Sequence, residues 1–149
     1  MVRSGLNARF ETAHAILILS GRYLLQLRDD KPSISAPGQW SLFGGRIDGG
    51  ENPAQAIERE IFEELTIRPK GFVALWPMDY YDELEKRDAR AWLFSADVTD
   101  VWGGQVLKEG QDAMSFSYQE LGGLDIPQIM RDALDRFHSE KEQGVNAVS

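Results

Sequence analysis

The stretch GRIDGGENPAQAIEREIFEELTI, residues 45–67, carries two kinds of order at once. Its first half is punctuated by glycines and then by a helix start. Asn52 is a good N-cap, Pro53 suits the first helical position, where its missing N–H costs nothing, and Gln55 stands three residues after the cap, as a capping box requires. In the second half, at about 100° per residue, Ala54, Ile57, Ile61 and Leu65 gather into one apolar stripe, and Glu60, Glu63 and Glu64 gather beside it. Glu64 falls only roughly 20° from Ile57 on that count, at the edge of the stripe. The electrostatics are unfavourable throughout. Like charges at i, i+3 and i, i+4 repel, and carboxylates in the last turns of a helix face the negative end of its dipole.

An acidic run on a helix is ordinarily a solvated face. A solvated face has no need of a member bordering the apolar stripe, nor of a double glycine just before the helix. A divalent cation accounts for both, because hard Mg2+ or Mn2+ takes oxygen ligands and cancels the repulsion.

Outward from this stretch, the chain has 149 residues, the size of one ordinary domain with a core of its own. It is 42% hydrophobic and 27% charged, and no apolar run approaches the ~20 residues of a membrane span. The absence of cysteine excludes disulfides and thiol-ligated metal. The start MVRSGLNARF lacks the apolar centre of a secretory signal, so the cytoplasm is the expected location. A net charge of −8 argues against a broad contact with a nucleic acid polymer, which normally shows as a basic patch. A small anionic substrate would need a cation to bridge it.

The pattern predicts strands at 12–19 and 23–28 joined by a tight turn at Ser20-Gly21-Arg22. A loop is expected at 29–38 from its Pro, Ser and Gly content, then a buried strand at 39–45 that runs into glycines. Further strands are expected at 71–80 and 89–98, a helix near 127–140, and a frayed tail from about 141 to 149. There are no repeats and no linker-like shift in composition, so residues 1–149 read as one domain.

From Gly45 the spacing runs through five residues to Glu51, seven more to Arg59-Glu60, then Ile61, Glu63-Glu64 and Ile67. This pattern resembles the Nudix box of the Nudix hydrolases, with Thr66 where the family has glycine and Phe43 where a proline usually precedes the double glycine. A β-branched residue is poor at positive φ, so a reshaped turn is expected at Thr66. The resemblance implies an α/β/α sandwich around a mixed sheet, with MutT-like hydrolysis of a nucleoside diphosphate linked to another moiety. By the same resemblance Glu60, Glu63 and Glu64 ligate Mg2+ or Mn2+, the carbonyl of Gly45 adds a ligand, Arg59 orients the carboxylates and Glu51 supports loop and helix. Glu109, in LKEGQD, matches a loop glutamate that in some members reaches the metals or serves as general base. Homodimers are common in the family.

Beyond those positions, Arg28 at the end of the second strand is a candidate phosphate contact, Gly44 would let backbone approach phosphate, and Tyr80 is a candidate stacking surface. Trp40, Trp76, Tyr81, Trp92 and Trp102 are further aromatic candidates, although aromatics at strand spacing are more often core. His14 and His138 show no partner pattern and read as structural or surface residues. Three functions fit the sequence: hydrolysis of a nucleoside triphosphate, hydrolysis of a nucleoside diphosphate sugar or alcohol, and nucleotide binding by a non-catalytic sensor.

Overall fold

The computed structural model describes residues 9–103 and 112–148. β1 (Phe10–Leu19) turns back into β2 (Arg22–Leu27) through Ser20 and Gly21, whose φ angles of 51° and 77° are both positive. Two such residues in succession make the primed turn whose twist matches that of paired strands.

The stretch 39–45, expected as one strand, is two. β3 (Trp40–Ser41) pairs with β2, while β4 (Phe43–Arg46) pairs with β1. β1 and β2 stay together only over Leu17–Leu19 and Arg22–Leu24 and then part, and β3 and β4 enter the gap. The chain changes partner at Leu42, which is buried at the join.

α1 (Pro53–Leu65) starts as its residues dictate. Asn52 accepts from the Gln55 amide at 2.8 Å, and the Gln55 side chain accepts from the Asn52 amide at 2.9 Å. Its buried face comprises Ala56, Ile57, Ile61, Glu64 and Leu65. Ala54, placed in the apolar stripe by periodicity, is exposed and Ala56 is buried instead, so the buried face is turned toward the side of the helix that carries Glu60 and Glu64. At the other end Thr66 adopts φ 56° and ψ 30° and gives its N–H to the Phe62 carbonyl at 2.8 Å. The left-handed turn that glycine would favour is therefore kept rather than reshaped, with a β-branched residue in it.

β5 (Val73–Asp82) and β6 (Arg87–Asp97) form an antiparallel pair, and β6 runs parallel to β1 from Phe10 opposite Ala89 to Ile18 opposite Asp97. β7 (Asp112–Phe116) adds to β2 and leads through α2 (Tyr118–Leu121) to α3 (Gln128–Val148). The sequence did not announce β7 and α2, and α3 runs past the end near 140 that it suggested.

The seven strands among the described residues form one mixed sheet. Ala13, Ala15 and Leu17 of β1 pack with Ile57, Ile61 and Leu65 of α1 on one face. The alternate residue Ile16 joins Leu25, Leu42, Leu121, Ala133 and Leu134 on the other. The result is the α/β/α sandwich. Each fully buried Ile or Leu contributes about 1.5–3 kcal/mol, so α1 is held to the sheet chiefly by its three large aliphatics. Among the described residues no helix is long and apolar enough to cross a membrane.

Candidate functional site

One arginine organises the acidic end of α1. Arg59 gives Nε to Glu51 Oε2 at 2.6 Å and Nη2 to Glu51 Oε1 at 2.9 Å, a two-point grip that fixes both planes. Its Nη1 reaches Glu60 Oε2 and Glu63 Oε1, each at 3.1 Å, and Nη2 also meets the Arg46 carbonyl at 3.1 Å. Glu51 in turn accepts the Asp48 amide at 2.9 Å, tying the glycine turn to the helix. The Arg59 hydrogen bonds, followed by the Asp48 amide, hold the Glu51 carboxyl below its ordinary range. Conversely, hydrogen bonding to Glu51 first and Glu60 next holds Arg59 more firmly protonated than a free arginine.

The three glutamates have different surroundings. Glu64 is only 2% exposed, and its Oε1 accepts the Gly44 amide at 2.9 Å. The sequence placed it at the edge of the core, and burial among Ile57, Ile61 and Leu65 agrees. The Glu60 side chain is 13% exposed and lies against Gly45, where a β-carbon would come within 2.6 Å of its Oε1. The Glu63 side chain is 53% exposed and is held by Arg59 on the outer side.

Gly44 is constrained twice over. Its φ of 146° excludes ordinary side chains, and a β-carbon would stand 2.1 Å from the Ala13 carbonyl oxygen. The double glycine therefore does more than turn the chain. It lets β4 press on β1 on one side and on the carboxylates of α1 on the other.

Glu60, Glu64, Gly44 and Gly45 border a cleft of about 1040 Å3 that also takes in Thr12 and His14. Arg28, Gln39 and Ser41 line it on the side of the 29–38 loop. Tyr80 and Tyr81 enter from β5, and Met130 and Asp132 from the start of α3. The turn after β5 also lines the cleft, and its Glu85 pairs with Arg46 of β4 at 3.0 Å. Arg28 is steadied by its Nε on the Ser35 carbonyl at 3.3 Å. Burial raises the Tyr80 phenol above its ordinary pKa, so it faces the cleft as a neutral hydroxyl.

Of the sequence candidates, the fold brings Arg28, Gly44, Gly45, Glu60, Glu64 and Tyr80 to this one cleft. Arg59 and Glu63 stand at its acidic margin. Glu109 lies outside the described residues. The indoles do not take part: Trp92 and Trp102 pack on the α1 side of the sheet, Trp40 and Trp76 on the α3 side. His14, read as structural or surface, proves to be part of the cleft. Its place follows from pairing with Gly44 across two strands, a relationship that no local pattern announces.

The donors present suit a hard divalent cation. They are carboxylate oxygens set beside backbone at Gly45, where the missing β-carbon leaves room for the Glu60 carboxylate to approach the chain. Among the described residues no three His, Asp or Glu side chains converge closely enough to enclose an ion by themselves. Backbone, water or substrate oxygens would have to complete the shell.

The description of the NUDIX domain matches residues 9–137. The chain belongs to the Nudix family. It is 29% identical over 141 residues to the NAD-capped RNA hydrolase NudC of Chromobacterium violaceum, covering 87% of this chain and 48% of that protein. The 8-oxo-dGTP diphosphatase of Escherichia coli is 34% identical over 85 residues, 56% of this chain and 62% of its own length. Among solved structures, the MutT protein of Methanosarcina mazei superposes with a TM-score of 0.76 at 24% identity, over 93% of this chain and 99% of that one. The chain thus spans about half the length of the first of these relatives and under two thirds of the second.

Proposed function

We propose that this Nudix chain hydrolyses a diphosphate bond, in a nucleoside triphosphate or in another nucleoside diphosphate linked to a further moiety, by direct attack of water on phosphorus with Mg2+ or Mn2+ as cofactor. The observation that carries this reading is the meeting of the Glu60 and Glu64 carboxylates with the Gly44-Gly45 backbone at the edge of a cleft large enough for a nucleotide. Two relatives that carry hydrolytic names of this type support it.

Glu60 and Glu64 would hold the ion, joined by Glu63, the Gly45 carbonyl and Glu109. When bound, it neutralises the charge by which a diphosphate repels an attacking water and makes that water more acidic. Arg59 keeps Glu60 and Glu63 oriented while Glu51 anchors Arg59 to the turn before the helix. Arg28 and Tyr80, which both line the cleft, bind the substrate, and Gly44 lets phosphate oxygens approach the chain. One of the carboxylates of Glu60, Glu63, Glu64 and Glu109 takes the proton from water. No Ser, Cys or His constellation in the described residues offers a covalent nucleophile, which leaves water as the attacking group.

A panel of nucleoside triphosphates, dinucleotides and nucleoside diphosphate sugars, assayed with Mg2+ or Mn2+ and read by phosphorus NMR, tests the proposal. Cleavage inside a diphosphate is expected for at least one class, with turnover reduced by about three orders of magnitude or more in Glu64→Gln. Full activity in Glu64→Gln would overturn the assignment.

A further inference from the structure

The chain has two histidines, and the fold treats them oppositely. His138 is fully engaged: its Nδ1 meets the Tyr23 hydroxyl at 2.7 Å, its Nε2 meets Glu142 at 3.2 Å, and its ring stacks on Tyr118 at 3.8 Å. That is how a structural histidine is satisfied. His14 sits on β1 directly opposite Gly44 and borders the cleft, yet its Nδ1 is buried with no hydrogen-bond partner. A β-carbon on Gly44 would stand 2.8 Å from that nitrogen, so the imidazole occupies the space the glycine leaves.

We propose that His14 is a substrate-positioning residue that donates a hydrogen bond to a phosphoryl oxygen of the bound diphosphate. The inference rests on the hydrolase reading for what fills the cleft, and on the geometry for where it binds. His14 faces the residue whose amide fixes Glu64, one position from Gly45, against which the Glu60 carboxylate lies, so it adjoins the place where the diphosphate must lie. Arg28 borders the same cleft, a cation suited to the same anion. Burial first, and the Arg28 charge second, bring the imidazole pKa down to about 4, so the ring is neutral at physiological pH. A neutral imidazole has one donor and one acceptor nitrogen, and nothing in the free protein fixes the tautomer through Nδ1. Phosphoryl oxygens only accept, so the bound form carries its proton on the nitrogen that faces them. A buried polar atom without a partner is costly, and a ligand that supplies the partner removes that cost.

The test uses methylenediphosphonate with Mg2+, a non-hydrolysable diphosphate without sugar or base, titrated calorimetrically into wild type, His14→Leu and His14→Gln. Affinity should fall about 10- to 100-fold in His14→Leu, the loss of one hydrogen bond to a charged group, and recover largely in His14→Gln, which keeps an N–H donor. The thermal midpoint of ligand-free His14→Leu should match or exceed that of wild type, because an unpaired polar group has been removed. If His14→Leu does not fold, His14→Met against His14→Gln is judged by the same affinity criterion. Equal affinity in wild type and variants would overturn the inference, as would failure of wild type to bind the probe. So would a lowered midpoint with unchanged affinity, which marks a structural histidine, or a loss seen with ADP and absent with methylenediphosphonate, which would move the contact to the nucleoside. Absence of turnover on every nucleotide tested, with His14-dependent binding intact, would end the hydrolase reading and leave this one standing.

Discussion

A β-carbon on Gly45 would come within 2.6 Å of Oε1 of Glu60, so β4 and α1 meet at a point where no side chain fits. The acidic helix and the glycine strand are thus one device, and each depends on the other's shape.

The two glycines should respond differently to alanine. In Gly45→Ala the atoms in the way are the free end of the Glu60 side chain, which can swing aside. Stability should change by no more than about 1 kcal/mol, while turnover falls about 100-fold because the carboxylate proposed as a ligand has been displaced. In Gly44→Ala the obstacle is the Ala13 carbonyl at 2.1 Å, with φ at 146°. A loss of about 4 kcal/mol or more in urea unfolding is expected there. Equal effects at the two positions would contradict the account of the double glycine.

The Arg59 grip on Glu51 predicts a pH dependence. Glu51 has a folded pKa below its unfolded value, so the stability it contributes is present above the unfolded pKa of about 4.3 and is lost as pH falls through the folded one. Glu51→Gln should be less stable than wild type at pH 7, and the gap should close as the pH is lowered below about 4. Urea midpoints from pH 7 to 3 measure this, and a gap that widens with acid would refute it.

Thr66 holds a conformation that costs a β-branched residue roughly 1–2 kcal/mol. Replacing it by glycine also frees the unfolded chain, which offsets part of the gain. Thr66→Gly should stabilise the fold by about 1 kcal/mol, raising the thermal midpoint by about 2–4 °C, with turnover unchanged. Destabilisation would mean that the Thr66 hydroxyl, which bonds the Leu65 carbonyl, outweighs the backbone strain.

What could be read from sequence follows how local each cause is. The start of α1 was legible because Asn52, Pro53 and Gln55 act within one turn, and the burial of Glu64 followed from its angle to Ile57. Its partner did not follow, since the Gly44 amide lies 20 residues away. The break at Leu42 was illegible because it records a change of neighbouring strand, and no residue between 39 and 45 signals that change. β7 was missed as a five-residue strand without alternation, stabilised by pairing with β2. His14, read as structural or surface, borders the cleft for the same kind of reason: it faces Gly44 across two strands, a pairing that no local pattern announces.

The central claim is that water attacks phosphorus inside a diphosphate held at the Glu60 and Glu64 carboxylates. The most direct measurement is a single turnover in 18O-enriched water with the best substrate of the panel and Mg2+. All of the label is expected on a phosphoryl product, with pyrophosphate and a nucleoside monophosphate from a triphosphate, or a nucleoside monophosphate and a sugar phosphate from a nucleotide sugar. Label on a sugar carbon or on the base, or a phosphomonoester emerging as the preferred substrate, would contradict it.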